Sequence, residues 1–255
     1  MSEGKLHIDP ISQFAIHPLF EFSLGGYNLA YTNSSLFMTL AVAMIAGFFL
    51  LGGKHRELVP SRIQAAGEMA YESIANMVRD NAGPDAMRYF PIIFAIFFLV
   101  LFGNVLGMIP GSFTYTSHII VTLTLALTLF ICITLLGFAR HGVHFLSRFV
   151  PHGVPALILP FIVALEVLSY LVRPLTLAVR LFANMLAGHM MLKVFAYFAV
   201  GLMTSGSIGL MALGTLPVLM NVALIGLELF VAVLQAMIFT ILTCVYLRDA
   251  LVIEH

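Results

Sequence analysis

Six ionisable side chains stand inside two long apolar stretches of this sequence: Glu166, Arg173, Arg180, His189 and Lys193 in the first, and Glu228 in the second. Thr176, Asn184, Asn221 and Gln235 accompany them as neutral polar residues. A charge at the depth of a bilayer costs several kcal/mol, roughly 2.5–3.5 for a central arginine on insertion scales, so such groups are kept where they are paired, watered or functional. Carboxylates and an imidazole exchange protons, and a guanidinium stays charged and supplies a fixed counter-charge. The chemistry these residue types imply is proton or ion translocation.

Spacing sorts them onto helix faces. Thr176, Arg180 and Asn184 recur every four residues and form one stripe, while Glu166, Arg173 and Arg180 recur every seven on nearly the same face. Asn221, Glu228 and Gln235 repeat by seven in the second stretch. His189 lies nine residues past Arg180, which at about 100° per residue is half a turn after full rotations, so it points away from the arginine.

The elements that must hold these residues are set by composition. Of the 255 residues 61% are hydrophobic and 9% charged, with a mean hydropathy of +1.04, which makes the bilayer the solvent and helices, not strands, the expected elements. Twelve basic residues balance twelve acidic ones, so no bulk charge points to nucleic acid. Cys132 and Cys244 both lie in apolar runs and read as packing residues, not a disulfide or metal site. The first 30 residues carry Glu3, Asp9, Pro10, His17, Pro18 and Glu21 without a basic and then apolar signal pattern, so insertion is expected to rely on the first spanning helix.

That first span is expected at 34–53, followed at once by Lys54, His55 and Arg56, which by the positive-inside bias places that end in the cytoplasm or matrix and the N-terminal segment, 1–33, outside. Over 60–80, Ile63, Gly67, Ala70, Ile74 and Met77 recur at helical spacing among Arg62, Gln64, Glu68, Glu72 and Arg79, the pattern of an interfacial amphipathic helix. A spanning hairpin is expected over 90–139, with the uncharged loop 111–117 outside and Arg140, His141, His144 and Arg148 inside. From 155 to 200 and from 207 to 247 the apolar character runs some 40 residues at a time, about 60 Å as helix and twice the hydrocarbon thickness. Either each stretch breaks into two spans, with Pro160, Pro174 and Pro217 as candidate breaks, or both helices are steeply tilted.

Plainer readings stand beside the chemical ones. Arg180 could form a structural ion pair with Glu166 or Glu228, and His189 with Glu228 could be a satisfied buried pair. Lys193 suits snorkelling to an interface, and Arg173 a structural or lipid-facing role. His141, His144 and His152 lack a further ligand at zinc-site spacing and read as a solvated face. Gly188, Gly201, Gly206 and Gly209 suit close helix approach or a turn. A secondary transporter or passive proton channel would also bury Arg, Glu and His, but no internal repeat is visible. A membrane enzyme or haem-binding cytochrome would need a nucleophile with its base, or paired axial histidines, where only His189 lies deep.

The run Arg173-Pro-Leu-Thr-Leu-Ala-Val-Arg-Leu-Phe-Ala-Asn-Met-Leu-Ala-Gly-His189 resembles the signature of the ATP synthase subunit a family, and the segment from Glu228 to Leu247 resembles that family's last helix. The resemblance implies an all-α integral membrane protein with vertical transmembrane helices, an interfacial helix and a long tilted hairpin over 155–248 facing a rotating ring of c subunits. It implies a stator that passes protons through two aqueous half-channels, with no ATP chemistry on this chain and no cofactor or metal. Arg180 matches the family's essential arginine facing the ring carboxylate, Asn184 and Gln235 its polar neighbours, and Glu166 and Thr176 polar positions of the access paths. In the familiar bacterial pattern an acid follows the Ala-Gly of the first motif and a histidine occupies the later position. Here His189 and Glu228 are exchanged, which is similar to mitochondrial and alphaproteobacterial relatives and favours protons over sodium. The partners implied are the c-ring, b-type stalk subunits, the rest of the complex and the lipid bilayer, in a bacterial inner membrane. His189 and Glu228 are expected to meet across the two long helices and line one half-channel away from Arg180.

Overall fold

The computed structural model describes residues 14–24, 27–53, 61–109, 111–150, 155 and 157–252. The basic cluster Lys54, His55 and Arg56, the early residues Glu3, Asp9 and Pro10, and His152 lie outside the described residues.

Strands β1 (Pro18–Leu24) and β2 (Tyr27–Thr32) form an antiparallel hairpin, pairing Phe20 with Tyr31 and Glu21 with Ala30. The all-α membrane architecture expected from the sequence holds, and this short hairpin is an addition to it. The segment carries β-formers on either side of a Gly-Gly step, a hairpin signal that overall hydropathy conceals. The hairpin hands over directly to α1 (Asn33–Gly53), where the Asn33 side chain accepts from the Ser34 amide and donates to the Ala15 carbonyl.

Helix α2 (Arg62–Ala82) starts on a Ser61 cap that accepts from the Gln64 amide and ends on Gly83, whose φ of 84° suits a residue without a Cβ. Its buried face is Gln64, Ile74, Ala75, Val78 and Ala82, while Ile63 is exposed. The expected apolar stripe therefore turns toward its C-terminal half, because that half packs under α3 (Phe90–Gly107) and the end of α7 (Thr215–Leu251) in one cluster that includes Phe90, Ile93, Phe98, Cys244 and Leu247.

Helix α4 (Ile119–His141) returns from the 111–118 loop, and a 3-10 segment over Gly142–Phe149 leads toward α5 (Leu159–Met203). A short α6 (Ile208–Leu213) precedes α7. Neither long stretch breaks into two spans. Pro160 and Pro217 sit in the first turns of α5 and α7, where no intrahelical donor is lost, and the buried Pro174 is carried inside an uninterrupted helix. With 45 and 37 residues, α5 and α7 measure about 68 and about 55 Å, too long to stand upright in a core of about 30 Å.

The two long helices run antiparallel: Arg173 reaches Asp249, Gly188 touches Glu228, and Gly214 touches Met203. Lipid tails are as apolar as leucine, so their association rests on close packing. Ala178, Ala232 and Ala236 are fully buried, and Leu177, Leu181 and Phe239 join Ile96, Val100 and Ala126 of α3 and α4 in a second core cluster. Among the described residues five helices are long and apolar enough to cross a membrane.

Candidate translocation site

At one end of the α5–α7 pair, His189 Nε2 lies 3.7 Å from Glu228 Oε1 and 2.9 Å from the Thr114 hydroxyl. Glu228 is 5% exposed, and neither of its carboxylate oxygens has a hydrogen-bond partner among the described residues. The two helices can come this close because residue 188 is glycine: a Cβ there would stand 2.7 Å from Glu228 Oε1. Asn221, two turns earlier on the same face of α7, also has a buried carbonyl oxygen with no partner.

A cavity of about 360 Å³ opens beside this cluster, walled by His189 and Lys193 of α5, by Asn221 and Ile225 of α7, and by Ser112 and Thr114 of the α3–α4 loop. It puts Lys193 on the same recess as His189. The loop is held firmly: Ser112 donates to the Leu106 and Ile109 carbonyls, Thr114 to the Gly107 carbonyl, Tyr115 to the Leu99 carbonyl and Ser117 to the Thr114 carbonyl. Gly107 makes the fold-back possible, since any side chain there would run into Thr114. His118 stacks on Phe113, and burial holds its pKa below the ordinary histidine value, so the loop adds no charge to the recess at neutral pH.

Arg180 sits about six turns before the end of α5 with an exposed side chain. No residue among those described forms an ion pair or a hydrogen bond with it. The structural pairing with Glu166 or Glu228 is therefore not formed within the chain: Glu166 is half-buried elsewhere on α5 and Glu228 meets His189. Thr176 and Asn184 share its stripe, Thr176 exposed and bonded to the Arg173 carbonyl, Asn184 half-buried. Gln235 is buried on α7. So the structure brings His189 and Glu228 together, leaves Arg180 facing outward, and keeps Glu166 and Thr176 a turn or more toward the opposite end.

That opposite end holds a second charge cluster. The Asp249 carboxylate forms ion pairs with Arg148 and, at 3.3 Å, with Arg173, while Arg148 also donates to the Asp249 carbonyl at 2.6 Å. Arg173 lies over the Tyr246 ring, 5.7 Å from its centroid. His141 bonds the Leu251 carbonyl at 3.2 Å, which ties α4 to the end of α7. Among the described residues no group of three potential metal ligands converges.

Thr114 and Asp249 are the residues that sequence reasoning missed. Thr114 is anonymous in an uncharged loop, and only the fold-back of that loop brings it to His189. Asp249 carried a signal, as an acid beside Arg248 at the basic end of the molecule.

Buried ionisable groups between helices long and apolar enough to cross a bilayer, with a cavity beside them, define the class: a polytopic membrane protein that moves ions. The sequence profile of the ATP synthase A chain matches residues 35–248, and the chain belongs to that family. Relatives named ATP synthase subunit a include one from Parvibaculum lavamentivorans, 52% identical over 97% of this chain and 95% of the relative. Those from Rhodospirillum rubrum and Mesorhizobium japonicum are each 50% identical, over 95% and 97% of this chain and 98% of each relative.

Proposed function

We propose that this chain is the stationary proton-translocating subunit of a rotary ATP synthase, with Arg180 placed against a carboxylate of a rotating c-ring. The observation that carries the reading is Arg180 itself. Arg148 and Arg173 share Asp249, while Arg180 is exposed on α5 with no hydrogen-bond or ion-pair partner among the described residues. An unpaired guanidinium on a lipid-facing helix is costly, and a carboxylate brought by another subunit removes that cost.

The mechanism is electrostatic. A ring carboxylate crosses lipid when neutral and releases its proton where a fixed cation or water stabilises the anion. Arg180 supplies that cation. It also separates two half-channels, because a proton approaching the guanidinium field finds no favourable route past it. The recess at Thr114, His189 and Asn221 forms one half-channel, with His189 on its wall and Glu228 behind it as the relay pair. Glu166 and Thr176 belong to the other, and Asn184 and Gln235 order the surroundings of the arginine. Each proton then travels nearly a full rotation, and each charge crossing 100 mV releases about 2.3 kcal/mol.

In this reading α2 lies on the membrane surface and α5 and α7 are tilted against the ring, in a bacterial plasma membrane. The N-terminus and the 111–118 loop face outside, and the 142–149 segment and the C-terminus face the cytoplasm. Peripheral-stalk subunits of the b type hold the chain still. Replacing Arg180 by Ala is expected to abolish ATP-driven proton pumping while leaving a passive leak in reconstituted vesicles. Coupled pumping retained by the variant contradicts the assignment.

A further inference from the structure

Away from the translocation path, the end of the α3–α4 hairpin that carries the basic residues holds two adjoining cavities. The outer one, about 470 Å³, is polar and has Asp85, Arg88 and Arg140 on its walls. The inner one, about 160 Å³, runs between α3, α4 and α7 past Ile92, Leu129, Cys132 and Leu247 and is almost wholly apolar. Tyr89 and Leu136 wall both. Arg88 lies just before α3 and Arg140 is in the last turn of α4, so both guanidinium groups stand at one edge of the spanning segment, where lipid headgroups lie. Both are exposed, and neither forms an ion pair among the described residues.

A polar recess with two unpaired arginines, continued inward by an apolar slot, has the shape and charge of an amphiphile with a phosphate at its head. We propose that this cleft binds an anionic phospholipid, its phosphate held by Arg88 and Arg140 and one acyl chain laid in the slot beside Ile92 and Cys132. Two guanidinium charges against the Asp85 carboxylate leave one net positive charge facing the headgroup. Basic recesses between spanning helices at a membrane edge select anionic headgroups in this way, and arginine holds phosphate in two-pronged geometry. The site does not depend on the translocation reading, because none of its residues belongs to that path.

The test uses the assembled complex in lipid nanodiscs, doped with phosphatidylglycerol or phosphatidylcholine carrying a photoreactive group on matched acyl chains. Cross-links to the peptides that contain Ile92 and Cys132 are then counted. One net charge corresponds to a roughly five-fold preference for phosphatidylglycerol. The preference is expected to fall to parity or below in the Arg88→Gln/Arg140→Gln double variant, which leaves the Asp85 carboxylate alone, to rise in Asp85→Asn, and to withstand excess inorganic phosphate. Equal labelling by both lipids in the unaltered complex, or a preference that survives the double variant, overturns the site. Loss of labelling to inorganic phosphate would make it a soluble-anion site and equally overturn the proposal. If the double variant fails to assemble, Asp85→Asn decides: an unchanged or lowered preference counts against the site.

Discussion

Glu228 and Asp249 are two acids on one helix, 21 residues and about 31 Å apart, and they have opposite surroundings. Asp249 is shared by Arg148 and Arg173 and accepts at its own backbone carbonyl as well. Glu228 is more deeply buried and has one imidazole at 3.7 Å and no hydrogen bond among the described residues. A carboxylate tied to two guanidinium groups is fixed in place, and its bonds set how the 142–149 segment, α5 and α7 meet. A buried carboxylate beside a histidine that itself lines a cavity can take up or release a proton as its surroundings change. The difference separates acids that hold the fold from acids that can conduct.

The comparison breaks first at His189 and Glu228. If the pair is one relay, what matters is that an acid and an imidazole are both present. His189→Glu puts two carboxylates together and Glu228→His leaves no acid. Each single change is expected to lower proton flux through the reconstituted complex on the order of a hundred-fold, in line with loss of a positioned acid or base. The double exchange is expected to recover a clear part of that loss. A double variant no better than the product of the two single losses shows that the residues act independently.

Gly188 sharpens the same end. A Cβ at that position would stand 2.7 Å from Glu228 Oε1, so Gly188→Ala must displace the carboxylate or spread α5 from α7. A few-fold loss of flux with the complex still assembled is expected, on the scale of a catalytic group moved by a fraction of an ångström. Unchanged flux would show that the spacing of Glu228 is not critical.

Asp249 gives the smallest effect on flux. Asp249→Asn leaves Arg148 and Arg173 without their shared anion and is expected to cost on the order of 1.5–3 kcal/mol in thermal or detergent stability, the range for hydrogen bonds to charged groups. Flux per assembled complex should stay within about three-fold of the original, since the cluster is partly exposed and water can stand in for the lost charge.

Much of this arrangement was legible in the sequence. The spans at 34–53 and 90–139 follow from hydropathy, and the half-turn offset between Arg180 and His189 follows from their spacing, because a helix repeats regularly whatever surrounds it. Two features were not legible. Periodicity cannot tell a broken helix from a long one, so the fate of Pro160, Pro174 and Pro217 depended on where each fell relative to a helix start and on neighbouring helices. Contacts between distant segments, such as Thr114 with His189 and Asp249 with Arg148, depend on loop fold-back and helix register, which no local pattern encodes. The hairpin at 18–32 was hidden for another reason: a short strand signal is easily lost in a chain this apolar.

The most direct test of the distinction between the two acids is proton flux through complexes carrying Glu228→Gln and Asp249→Asn, reconstituted side by side and normalised to the amount assembled. Glu228→Gln is expected to assemble normally and lose nearly all flux, while Asp249→Asn loses stability and keeps most of its flux per complex. Near-normal flux in Glu228→Gln, or a complete loss in fully assembled Asp249→Asn, would contradict the assignment of Glu228 to conduction and Asp249 to the fold.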